Sequence, residues 1–148
     1  MTCFHQHGFN RSLIIGLNDK TGIKTELIYD GYDFPENRPL ITVEPIQDDF
    51  IILSKQRESV EVTRHYQIGL HEVNNVHLTI NSERLKDVFL FEEFTYYNTL
   101  KNPAEIAGTF LCNLTAVVPM PSDDISQKSE YYRVYFDVEI TNIKRRGI

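Results

Sequence analysis

The sequence predicts an α+β fold: a single domain on a mainly antiparallel β-sheet, with one or two helices packed on one face and a long loop inside a β-hairpin. Three stretches predict it. In residues 131–141 the side chains of Tyr132, Val134, Phe136, Val138 and Ile140 fall on one side and Tyr131, Arg133, Tyr135, Asp137, Glu139 and Thr141 on the other, the two-residue period of a strand with one dry face. Residues 60–70 repeat the pattern with Val60, Val62, Tyr66, Ile68 and Leu70. Between them Leu85, Val88 and Phe89 recur at helical spacing, Glu92 continues the register, and Phe91 and Phe94 broaden the apolar side. A long β-branched and aromatic strand needs paired neighbours and an apolar cover, and the helix supplies the cover.

At 148 residues the chain fits one domain, able to bury roughly two thirds of its unfolded surface. Cys3 and Cys112 lie far apart with neither metal-ligand nor redox spacing, which predicts a reducing, intracellular setting. The triplets beginning at Asn10 and Asn113 are chance matches to a glycosylation pattern in a chain without a recognisable secretion signal. No apolar run approaches the roughly 20 residues of a membrane helix. A soluble protein with no membrane partner is expected. The 15 basic against 21 acidic residues, net charge −6, argue against sequence-blind nucleic-acid binding, which a basic face drives. An acidic surface suits instead a protein that faces DNA without gripping it.

In chain order, residues 1–10 read as a flexible arm, 11–143 as the domain and 144–148 as a basic tail. His5 and His7 in the arm are solvated histidines rather than a chelating pair. Ser12 caps a short helix over Leu13, Ile14, Ile15 and Leu17 that ends near Gly22, with Gly16 as its weak point. Ile23, Thr25, Leu27 and Tyr29 share one face of a first strand. Two prolines and acidic turn residues mark 29–39 as a loop, and 40–46 is a short strand ended by Pro45. Phe50, Ile51, Ile52 and Leu53 form a consecutive apolar run, which is either core or a contact surface. Arg64 interrupts the apolar side of 60–70, at a strand bend or snorkelling to the rim. Asn81 is read as the cap of the main helix, with Ile80 and Leu85 as its hydrophobic staple and Glu83 in the first turn. Residues 95–108 look irregular. Phe110, Cys112, Leu114, Ala116 and Val118 then alternate in a strand closed by Pro119 and Pro121. The segment 119–130 joins two strands expected to pair, and at that length it is disordered or used for contact.

No phosphate loop, dinucleotide fingerprint, nucleophile elbow, paired-cysteine motif or zinc-protease motif is present. His65 and His71 fall on the polar face of one strand, roughly 20 Å apart at a strand's rise, too far to share an ion. Asp137 and Glu139 are expected to pair with Arg133 or Arg64 across strands rather than to act as acid and base. No catalytic residue, metal or cofactor is assigned. The interface candidates are Phe50, Ile51, Ile52 and Leu53, the loop residues Pro119, Met120, Pro121, Asp123, Asp124 and Ile125, and the tyrosines Tyr131 and Tyr135, taken as exposed.

The order of segments carries a resemblance. A short N-terminal helix, then TGIKTELIYDGYDFPENRPLITVE, SVEVTRHYQIGLHE, the helix NSERLKDVFLF and the closing YYRVYFDVEI together resemble the tail-completion proteins (head-to-tail joining proteins, or tail terminators) of long-tailed bacteriophages, over residues 11–143. The likeness is one of arrangement, without an invariant motif, and the Gly-interrupted first helix departs from it. It implies an α+β subunit with helices on one face, assembled as a hexameric ring that caps the head-proximal end of the tail tube and docks on the head connector. The implied partners are further copies of itself, the major tail protein and a head-completion or connector protein, with DNA only passing through the channel. The implied location is the virion, at the head-tail interface, after assembly in the host cytoplasm. A different connector component, such as a stopper protein, or a tail-tube subunit is the nearest alternative. A small ligand-binding or hydrolytic α+β protein is the alternative of another class.

Overall fold

The structure, a computed structural model, describes residues 4–119 and 132–145. Helix α1 spans Gln6–Thr21, so it begins inside the stretch read as a flexible arm. The reason is aromatic: Phe4 stacks on Tyr96 with ring centroids 4.0 Å apart, and the His5 N–H donates to the Tyr96 hydroxyl at 3.0 Å, which fixes the chain where the helix starts. Ser12 is therefore not a cap. It lies buried in mid-helix and its hydroxyl accepts the Tyr97 N–H at 2.8 Å. The helix ends as read, at Gly22 in the left-handed conformation, with its N–H returned to the Asn18 carbonyl.

Strand β1, Thr25–Leu27, is shorter than the sequence pattern suggested. Strand β2, Leu40–Ile52, is much longer, running through Pro45. Pro45 is tolerated because β1 pairs with β2 only as far as Val43, so beyond that point β2 is a sheet edge and no neighbour requires the missing N–H. A register shift between Pro45 and Gln47 marks the spot. Strand β3, Ser59–His71, returns antiparallel to β2, and β7, Arg133–Arg145, lies antiparallel to β3. Strand β6, Asn113–Pro119, completes a five-stranded sheet in the order β1-β2-β3-β7-β6, parallel at β1–β2 and antiparallel elsewhere. The pairing of β6 with β7 is the one the sequence predicted.

Helix α2 spans Asn75–Phe91, and its cap is Asn74, not Asn81. Asn74 is extended, and its side chain accepts the His77 N–H at 2.9 Å. Ile80 is exposed and forms no staple. Asn81 lies one and a half turns into the helix and donates to the buried Glu72 carboxylate, which also takes the Val73 N–H. The expected inner residues Leu85, Val88 and Phe89 are buried, whereas Phe91 points out and Phe94 belongs to the next strand.

The segment read as irregular is a second, two-stranded sheet: β4, Phe94–Asn98, with β5, Glu105–Phe110. The strand expected from 109 to 118 is broken at Leu111 and Cys112, and a register shift between Leu114 and Ala116 turns Leu114 and Val117 toward the core. Both helices cover one face of the large sheet. The core joins Phe9, Leu13 and Leu17 of α1, Leu85, Val88 and Phe89 of α2, and the inner residues Ile41, Val43, Tyr66, Ile68, Val134, Phe136, Val138 and Ile140 of the sheet. The alternation of β7 is thus observed, and its even-numbered face is the floor of the core.

The small sheet packs on α1 through residues 8, 12 and 16, spaced four apart on one helix face. A Cβ on Gly8 would stand 2.1 Å from the Tyr96 hydroxyl, and one on Gly16 would stand 2.6 Å from the Phe94 ring. These glycines let β4 close on the helix, which is why Gly16 does not end it.

Candidate interaction surface

Beyond the helices the large sheet continues as a three-stranded arm made of the far halves of β2, β3 and β7. Phe50 pairs with Val62 and Val62 with Asn142, while Ile52 pairs with Val60 and Val60 with Lys144. On this face of β3, Tyr66, Arg64 and Val62 are buried and Val60 is half-buried, with Phe9 of α1 beneath Arg64. The Leu53 N–H donates to the Ser59 carbonyl at 3.0 Å and closes the turn, inside which Ser54 Oγ accepts the Glu58 N–H at 2.8 Å.

This arm resolves the reading of residues 50–53. They are not core. Phe50 is 64% exposed, Ile51 58%, Ile52 52% and Leu53 48%. Because successive side chains of a strand alternate, Phe50 and Ile52 face one side and Ile51 the other, where Ile143 of β7 stands opposite Glu61. The arm end thus exposes Phe50 and Ile52 on the inner face beside the buried Val62, and Ile51 and Ile143 on the outer face to either side of Glu61. Its rim carries Lys55 and Arg57 in the turn and Lys144 and Arg145 at the end of β7, against the carboxylates of Glu58 and Glu61.

Arg64 lies at the root of the arm. It is 5% exposed, its guanidinium sits 5.0 Å from the centroid of the Phe9 ring, and it donates to the Asn142 side chain. It thus lies on the inner face, opposite Asp137 and Glu139, and does not form the cross-strand pair expected for it. On the outer face His65 Nε2 lies 2.7 Å from an Asp49 carboxylate oxygen. Beneath Arg64, the buried Tyr66 hydroxyl donates to Asn10 Oδ1 at 2.7 Å and accepts from Gln6 Nε2 at 2.6 Å, and burial pushes its pKa up.

The other candidates divide. Pro119 ends β6 and is exposed. Met120, Pro121, Asp123, Asp124, Ile125 and Tyr131 lie outside the described residues. Tyr135 is half-buried rather than exposed: its ring passes 3.1 Å from where a Gly69 Cβ would be and meets His71 edge-on at 6.2 Å. His71 itself is a correction, being only 1% exposed where a surface histidine was expected. The parallel connection from β1 to β2 forces residues 28–39 across the outer face, and Phe34 of that loop lies against His71 at 5.5 Å. Thr42 Oγ1 lies 3.2 Å from His71 Nε2. Burial, and then the charges of Arg38 and Arg133, pull the His71 pKa down to about 4, so the ring is neutral. Burial likewise raises the Cys112 thiol to about 12, leaving it unreactive.

A second exposed apolar region was missed in the sequence. Leu90 and Phe91 end α2, and Glu92 and Glu93 follow. Phe94 pairs with Phe110, which sets Leu111 beside Glu93, and both line a cleft of about 410 Å³ floored by Phe4, Phe9 and Phe110 and bounded by Thr141 and Asn142 of β7 at the root of the arm. Phe91 had looked like part of the helix's apolar side, but two residues past Phe89 it stands roughly 200° round the helix from it, away from the buried stripe. Among the described residues no three His, Cys, Asp or Glu side chains are placed to hold one metal ion, and no helix is long and apolar enough to cross a membrane.

These features define a class: an α+β body with an apolar, basic-rimmed β-arm projecting from it. Compared with known proteins, the chain matches no family model and no curated sequence.

Proposed function

We propose that the chain is a structural subunit that works through its rim, a tail-completion protein that forms a ring on the head-proximal end of a phage tail tube and joins it to the head connector. The observation that carries this reading is the arm, where Phe50, Ile51, Ile52 and Leu53 form a consecutive apolar run that is exposed at every position. Surface of that kind marks a protein contact. The resemblance of the order of segments to that of tail-completion proteins supports the particular role, and the balance of charge at −6 suits a channel wall along which DNA slides.

Negative-stain microscopy and mass measurement of the purified chain, alone and with a tail-tube protein polymer, test the reading. A closed ring of fixed copy number seated on tube ends is expected. A single-copy mass under every condition, with no density on tube ends, would contradict it. A ring that seats on portal-type connectors but not on tubes would move the chain to a neighbouring connector role.

A further inference from the structure

We infer that the occupant of the cleft beside Glu93 is the arm of a second copy of this chain, so that neighbouring subunits join arm to cleft. The inference deepens the ring reading and rests on it. Two exposed apolar surfaces differ in charge: the arm end, and the cleft at the arm's root, where Thr141 and Asn142 of β7 also line it. The arm end presents Phe50 and Ile52 within a rim of Lys55, Arg57, Lys144 and Arg145. The receiving side presents Leu111 and Glu93 in the cleft, and Asp87, Leu90, Phe91 and Glu92 at the exposed end of α2 that leads into Glu93. Glu92 already binds Lys20 at 3.2 Å, whereas Asp87 and Glu93 form no ion pair among the described residues. Like meets like poorly across a two-fold axis here, since two basic arm ends would repel. Arm against cleft matches both apolar surface and charge, and a contact between unlike patches propagates head to tail into a ring.

Disulfide trapping between two single-cysteine chains, both in a Cys3→Ser, Cys112→Ala background, tests the geometry. One chain carries Phe50→Cys and the other Leu111→Cys, and a cross-link is sought in the mixture and in each chain alone. Cross-linking confined to the mixture is expected. Reversing the arm charges with Lys55→Glu and Arg57→Glu should weaken association about tenfold, and adding Asp87→Lys and Glu93→Lys on the neighbour should restore it. Rings that assemble without the mixed cross-link, or a cross-link between Phe50→Cys chains alone, would overturn the arm-to-cleft contact and leave the ring reading standing. Neither association nor cross-link up to millimolar protein would overturn both.

Discussion

Gly16 and His71 show how far single residues depart from their sequence appearance. On a bare helix scale, Gly16→Ala stabilises by about 1 kcal/mol. In this structure the new methyl meets the Phe94 ring at 2.6 Å, and forcing extra volume into a packed contact costs about 1–3 kcal/mol, so we expect a lower melting temperature for Gly16→Ala. A higher one would mean that β4 does not close on α1. His71 gives a pH signature. Its folded pKa of about 4 lies below the ordinary 6.5, so at neutral pH and above the ring carries no penalty, and as pH falls from 6.5 toward 4 the unfolded chain takes up a proton that the folded chain refuses. Stability should therefore decline over that window by up to about 3 kcal/mol and level off below it. Chemical denaturation across pH 7 to 4 should show this part of the slope in the parent and its loss in His71→Gln; equal slopes would place the histidine in water. Nothing in the sequence around His71 signals burial, because the residue that covers it, Phe34, arrives from a loop that only the parallel β1–β2 pairing sends across that face.

Among elements, what could be read were those whose own pattern decides them. The two-residue period of β7 and β3 is set by one dry face each, and the inner side of α2 by Leu85, Val88 and Phe89. What could not be read depended on partners distant in sequence. The start of α1 is fixed by Tyr96, and the passage of β2 through Pro45 by where β1 stops. The β4–β5 hairpin is short and held against α1 by the small residues Gly8, Ser12 and Gly16 rather than by its own alternation. The cap of α2 was misplaced because Asn74 and Asn81 both precede helical residues, and only the extended backbone of Asn74 tells them apart. Asn74→Ala should accordingly cost about 1 kcal/mol in thermal unfolding, and removal of the asparagine at 74 should matter through the His77 N–H it leaves bare. The arm obeys different rules from the core. Phe136→Ala, at a fully buried position, should cost about 3–5 kcal/mol, whereas Phe50→Ser should change stability by less than about 0.5 kcal/mol.

For the whole molecule, the division of labour is between a closed interior and an open rim. The core uses both helices and the inner face of the sheet, and the sheet then extends past its cover, exposing apolar side chains that a lone chain gains nothing by showing to water. The candidate site was half legible on this scale: the run at 50–53 stood out in the sequence, but its counterpart at Leu90, Phe91 and Leu111 is assembled from a helix end and a strand end that meet only when β4 pairs with β5. Sedimentation velocity over a wide concentration range, comparing the parent with a Phe50→Ser, Ile52→Ser double variant of matched melting temperature, addresses the rim directly. The parent should sediment as a closed oligomer whose share grows with concentration, and the variant should remain a folded monomer. Identical sedimentation of the two at every concentration would contradict a function performed by the arm.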